Sequence, residues 1–152
     1  MNDPSFTPDE AFSLQIDMMT SVITKDTDLW NRALDRMATL DPDGRDITYA
    51  ITYGFIAVIC ELLEIRTTNP DDWYLEIGEP SAPDTNPDAT LAMTNACRMV
   101  VAYANGQHQT TGALLNAAMA SDSTGVAGGR LMAAIINLFE LGYEHRQSEM
   151  TP

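Results

Sequence analysis

The apolar residues of this chain recur mainly at intervals of three and four positions, which is the spacing of one face of an α-helix. Residues 7–10 (TPDE) combine an N-cap threonine, a proline at the first helical position and a glutamate three positions after the cap. This capping box predicts an amphipathic helix from about Pro8 to Thr24. The apolar face of that helix is predicted to consist of Phe12, Ile16, Met19 and Ile23.

Two more helices are predicted before residue 67. The second begins at a cap on Asp26 or Thr27 and ends at residues 41–44 (DPDG), because proline cannot continue a helix and glycine tolerates a left-handed backbone. The third, over residues 46–66, is apolar on nearly every side, which is typical of a helix that is buried on most sides. We therefore expect it to be the central helix.

Residues 67–90 interrupt the helical pattern with four prolines, six acids and no base. Loops of this length are uncommon in compact domains and often have a function. The segment contains an apolar cluster at residues 73–77, so we expect it to dock on the body of the protein through part of that cluster. It is predicted to be a long crossover between the third and fourth helices.

Three helices are predicted after the crossover. The fourth opens at residues 86–88 and ends at Ala104, and the fifth runs from Thr111 to Ala120. The sixth begins after possible caps at residues 121–123 and gives way to a polar tail at about 145–152. The predicted fold is all-α: a bundle of five to six helices in a single domain, 1–152, with a long acidic, proline-rich crossover between helices 3 and 4.

The net charge of −14, from 22 acids and eight bases, is unevenly distributed. Residues 1–46 and 67–90 each contribute −6, whereas 47–66 and 91–152 each contribute −1. We expect no direct binding to nucleic acid, because contact with its phosphates requires clustered lysine and arginine. The acids either keep an apolar-rich bundle in solution or attract a basic partner.

The crossover combines acids with aromatic residues, and this combination is typical of a protein-binding surface. Carboxylates accelerate and orient association, while aromatic side chains supply much of the binding energy. The predicted partner-binding residues are Asp71, Asp72, Trp73, Tyr74, Glu76 and Glu79. The sequence thus favours a non-enzymatic interaction protein that binds a basic protein partner, as an inhibitor or nucleic-acid mimic would. The alternative for Trp73 is a lid packed over the core.

Patterns typical of catalytic or metal sites are absent from the sequence. His108 and His145 belong to neither a His-Glu-x-x-His nor a Glu-x-x-His pattern. Cys60 and Cys97 lie in apolar helical segments, where a thiol stays protonated. The glycine-rich segment 123–130 lacks the Lys-Ser/Thr pair of a phosphate-binding loop, so its glycines are predicted to permit close helix packing. We expect no catalytic residue, cofactor or metal.

A second class of function remains open. The third, fourth and sixth helices could enclose an apolar pocket lined by Tyr49, Tyr53, Tyr103 and methionines. The chain would then be a small-molecule-binding or catalytic bundle.

Location and assembly are also predicted from the apolar segments. The N-terminal residues lack a basic segment of the kind that signals secretion, and the longest nearly apolar stretch, 49–60, is about half of a membrane span. We expect a cytoplasmic protein with free thiols and no membrane contact. Three helices have wide apolar surfaces, which predicts a homodimer.

Overall fold

The computed structural model describes residues 5–63, 87–120 and 126–150, and all regular structure within them is α-helical. This confirms the predicted all-α class. Residues 64–86, between the third and fourth helices, lie outside the described residues. The six helices are α1 (Pro8–Thr24), α2 (Thr27–Leu40), α3 (Arg45–Leu62), α4 (Pro87–Ala104), α5 (His108–Ala120) and α6 (Val126–Met150).

The chain divides into two compact units, Met1–Phe55 and Ile56–Pro152, and helix α3 runs through the boundary. Every residue of α3 from Ile47 to Cys60 is buried or half-buried, as predicted for a helix that is apolar on nearly all sides. Its fully buried apolar residues are Ile47, Ile51 and Phe55 in the first unit and Ile56 and Ile59 in the second. Each unit therefore receives part of its core from the same helix.

The predicted capping box at the start of α1 is present. The Thr7 hydroxyl accepts the backbone N–H of Glu10 at 3.1 Å, and the Glu10 carboxylate accepts the backbone N–H of Thr7 at 2.9 Å. After α1 the chain turns at Lys25, whose φ of 57° lies in the left-handed region. Asp26 then caps α2 by accepting the backbone N–H of Leu29 at 3.0 Å. Local capping thus fixes both helix starts and the reversal between them.

The buried face of α1 differs from the predicted one. Of the four residues predicted to form its apolar face, only Met19 is buried, while Phe12, Ile16 and Ile23 are exposed. The buried residues of α1 are Ala11, Leu14, Gln15, Met18, Met19 and Ser21. A buried face that includes glutamine and serine cannot be recognised from hydrophobic spacing alone.

Gly54 on α3 explains why a glutamine is buried. A Cβ atom at Gly54 would lie 1.8 Å from Oε1 of Gln15, so the side chain of Gln15 occupies the space that glycine leaves. The amide of Gln15 also makes a weak contact with Sδ of Met19 at 3.9 Å. The side chain of Gln15 on α1 therefore packs directly against the backbone of α3 at Gly54.

The second unit is built from α4, α5 and α6, each of which packs against the other two, together with the end of α3. Its largest fully buried side chains on α4 and α6 are Met99, Val100, Leu131 and Ile135. Helix α5 begins at His108, three residues before the predicted start, and α6 continues to Met150, through most of the predicted polar tail.

The predicted role of the glycines at the start of α6 is wrong for the two that the structure describes. Among the described residues, nothing lies within 4 Å of a Cβ built at Gly129, and Gly128 makes only an ordinary contact, 3.8 Å from Cγ of Met119. The close approach occurs instead at Gly142, where a Cβ would lie 3.2 Å from Cβ of Leu62. Gly125 lies outside the described residues.

None of the helices in the described part of the chain combines the length and the apolar composition needed to cross a membrane.

Candidate interaction surface

The predicted partner-binding residues of the crossover lie outside the described residues. They are Asp71, Asp72, Trp73, Tyr74, Glu76 and Glu79. Their part in binding stays a prediction. Of the segment 67–90, only the first turn of α4 is described.

The other acidic region is described almost completely, since it forms α1, α2 and the loop before α3. Residues 5–46 contain nine acids and four bases, which gives a net charge of −5. Only one of the nine acids, Asp41, is buried. The six that are exposed are Asp9, Asp26, Asp28, Asp35, Asp43 and Asp46. The fold thus presents most of this negative charge to solvent.

Besides Glu10 in the capping box of α1, three acids of this region have structural roles. The buried carboxylate of Asp41 accepts the backbone N–H of Ile47 at 3.0 Å and so holds the start of α3. Asp17 on α1 forms an ion pair with Arg36 on α2, with 2.8 Å between the charged atoms. This pair is well exposed, so it contributes little to stability. Asp26 is the N-cap of α2.

An apolar feature accompanies the charge on α1. Phe12, Ile16 and Ile23 are exposed by 62%, 43% and 36%, respectively. Because a helix advances about 100° per residue, spacings of four and seven place these side chains within a strip about 40° wide. We call these three residues the α1 strip. Helix α1 contains three acids, Asp9, Glu10 and Asp17, and no base.

The two cysteines are buried free thiols, as predicted. Burial, with a smaller contribution from the neighbouring carboxylate of Glu61, raises the pKa of Cys60 from 9.0 to about 11. Its Sγ donates a weak hydrogen bond to the backbone carbonyl of Val100 at 3.7 Å. Burial also raises the pKa of Cys97. Both thiols therefore stay protonated near neutral pH and are poor nucleophiles.

The two histidines lie in different settings. The ring of His108 meets the ring of Tyr103 edge to face, with 5.0 Å between centroids. Nε2 of His145 lies 3.2 Å from Oε1 of Glu149, one turn further along α6. Within the described ranges, no three His, Cys, Asp or Glu side chains come together in a way that could hold a metal ion.

The tyrosines of the alternative pocket are half-buried. Tyr49 and Tyr53 belong to the first unit, and Tyr103 belongs to the second. Burial, followed by the proximity of Tyr49, raises the pKa of Tyr53. Met99 is fully buried in the core of the second unit. A pocket lined by these residues stays a prediction.

Comparisons with known protein families, with curated protein sequences and with solved structures found no match to this chain.

Proposed function

We propose that this chain is a non-enzymatic, acidic helical interaction protein that binds a basic protein partner. The observation that supports the proposal is the distribution of charge, since residues 1–46 and 67–90 together account for −12 of the net −14. In the described part of the first region, the acids lie mostly on the surface, where they can act on a partner. Such a surface attracts and orients a basic protein before contact is made.

The crossover acids are the proposed contact residues, together with Trp73 and Tyr74 as aromatic anchors. To test them, we suggest the quadruple variant D71N/D72N/E76Q/E79Q, which removes four charges and leaves the aromatic residues in place. The matched control is E61Q/E140Q/E144Q/E149Q. It removes the same number of charges from exposed positions of the nearly neutral region.

The measurement is affinity capture from the native host, followed by elution with increasing salt. We expect the crossover variant to lose its captured basic proteins at lower salt than wild type does, whereas the control variant should elute as wild type does. If both variants lose the captured proteins at the same salt concentration, below that of wild type, binding depends on the net charge and not on the crossover. If wild type captures no basic protein at all, the proposed function is wrong.

We also propose that the chain forms a homodimer that shares part of α3, α4 or α6. The wide apolar surfaces of these three helices support it, because a second copy of the chain can cover what one copy leaves open. Light scattering should return twice the chain mass of 16.6 kDa at micromolar concentration. A mass of one chain across that range would contradict the dimer.

A further inference from the structure

The α1 strip is a row of apolar side chains that the first unit leaves uncovered. Single exposed apolar residues are common and need no explanation. Phe12, Ile16 and Ile23 differ because their spacing aligns them along one side of a helix of 17 residues. A second helix that lies along α1 can cover all three at once, in the way that amphipathic helices bind to apolar ridges and grooves.

The charge of the surrounding surface indicates what kind of helix this would be. Asp9 precedes Phe12 by three positions, so the two side chains are neighbours on the helix surface. Asp17 directly follows Ile16, but it lies about 100° further around the helix and is paired with Arg36. Helix α2 is neutral, because its exposed acids Asp28 and Asp35 are matched by its exposed bases Arg32 and Arg36. The described residues 5–46 as a whole nevertheless have a net charge of −5. An apolar strip in such surroundings complements a helix with lysine or arginine beside its own apolar face.

We propose that the α1 strip binds a basic amphipathic helix, whose apolar residues cover Phe12, Ile16 and Ile23. This proposal rests on the proposed function, because it names the form that the basic partner takes at this surface. The basic residues of the helix complement the net negative charge of residues 5–46. The residues of the α1 strip and those of the crossover are distant in sequence, so each set can be substituted without changing the other.

Charge argues against a second copy of the chain as the occupant. A symmetric dimer that buried the strip would bring one α1 against another α1. Each copy contributes residues 5–46 with their net charge of −5, so two copies joined at this surface would repel each other. Like charges placed together in this way disfavour the pairing.

The test uses two fluorescent peptides about 18 residues long, made only of leucine and lysine in equal proportion. In one peptide the leucines lie on a single helix face, and in the other the same residues are scrambled around the helix. Binding is measured by fluorescence anisotropy for wild type, for F12S/I16S and for the control L91S/L141S. The control removes two apolar side chains of comparable exposure from the second unit.

We expect wild type to bind the amphipathic peptide at least about tenfold more tightly than the scrambled one, since only the former can cover the strip. F12S/I16S should lose at least about tenfold in affinity for the amphipathic peptide, and L91S/L141S should stay within about twofold of wild type. I16S alone should show a smaller loss of affinity for the amphipathic peptide. It replaces F12S/I16S in the test if the double variant does not fold.

Three results would overturn the proposal. If F12S/I16S or I16S binds the amphipathic peptide as wild type does, or if wild type binds both peptides equally, the strip is not the binding surface. Salt-sensitive binding of the peptides would then still support a general acidic surface. If wild type binds neither peptide, the proposed function fails as well. If light scattering shows that F12S/I16S turns a dimer into a monomer, the occupant is a second copy of the chain.

Discussion

The acidic α1–α2 region and the assembly of α4, α5 and α6 use their large apolar side chains differently. Helix α2 buries only Ala33 completely, and α1 leaves Phe12 and Ile16 exposed. In the second unit, by contrast, Met99, Val100, Leu131, Ile135 and Phe139 are almost entirely removed from solvent. The residues of the first region have a strong negative charge, whereas residues 91–152 are close to neutral.

This difference separates the part of the chain that buries most large apolar side chains from the part in which we propose recognition. Burial of large apolar groups is the main favourable contribution to folding, so the second unit is built for stability. Exposed charge and exposed apolar surface contribute little to the stability of an isolated chain, but both become favourable when a complementary partner covers them. The α1–α2 region has both features, so it is the described part of the chain best suited to contact another protein.

The largest expected effects come from truncating one core leucine in each unit. Leu14 and Leu131 are buried to a similar extent, and each substitution by alanine should lower the free energy of unfolding by about 2–5 kcal/mol. Because α3 supplies core residues to both units, we expect one unfolding transition, shifted by either variant. Urea denaturation followed by circular dichroism, together with calorimetry, measures the number of transitions and the shift in each variant.

Two separate transitions, each shifted by only one of the two leucine variants, would contradict the predicted single domain. The comparison between the regions would then become a comparison between two domains.

A smaller effect is expected at the two glycines where helices approach closely. Alanine in the interior of a helix is favoured over glycine by about 1 kcal/mol, and at Gly142 this gain should roughly offset the tight contact of 3.2 Å with Leu62. At Gly54 the new Cβ would displace the buried amide of Gln15, so G54A should lose about 1–2 kcal/mol of stability.

A double-mutant cycle identifies the cause. In Q15A/G54A the space beside residue 54 is no longer filled, so this variant should be more stable than G54A alone. If Q15A fails to rescue G54A, the glycine is required for another reason, and the proposed pairing of Gly54 with Gln15 is wrong.

Helix bounds could be predicted from the sequence because the signals for them are local. The capping box at residues 7–10 and the Asp26 cap require only neighbouring residues, and α1 begins and ends at the predicted positions. The buried face of α1 could not be predicted in the same way. It depends on Gly54, which is distant in sequence and leaves room for the polar side chain of Gln15.

The same reasoning applies to the candidate surfaces. The acidic character of residues 1–46 is evident from composition, but the exposure of the α1 strip is not, because the spacing of Phe12, Ile16 and Ile23 predicts that they form the buried face of the helix. Hydrophobic spacing shows which residues lie on the same face of a helix. It does not tell whether that face meets the core of the same chain or remains open for a partner.

Alkaline pH should affect stability through Cys60. Its pKa is raised from 9.0 to about 11 in the folded protein, so above pH 9 the unfolded chain loses the thiol proton while the folded chain keeps it. Stability should therefore fall as pH rises from about 9 towards 11, by on the order of 1 kcal/mol from this group. Chemical denaturation at several pH values should show that the free energy of unfolding declines less steeply with pH in C60A than in wild type. Equal slopes in the two proteins would exclude this contribution.

The smallest effect on folding is expected from F12S/I16S. Both side chains are largely exposed, so their loss should change the free energy of unfolding by no more than about 1 kcal/mol, compared with the several kcal/mol expected for Leu14→Ala on the same helix. Denaturation of both variants under identical conditions measures the difference. A loss above about 2 kcal/mol for F12S/I16S would mean that these residues belong to the core, as their spacing first suggested. A small loss in stability combined with a large loss in peptide binding would instead separate two roles of α1. One face of the helix would then stabilise the fold, and the α1 strip would remain available to a partner.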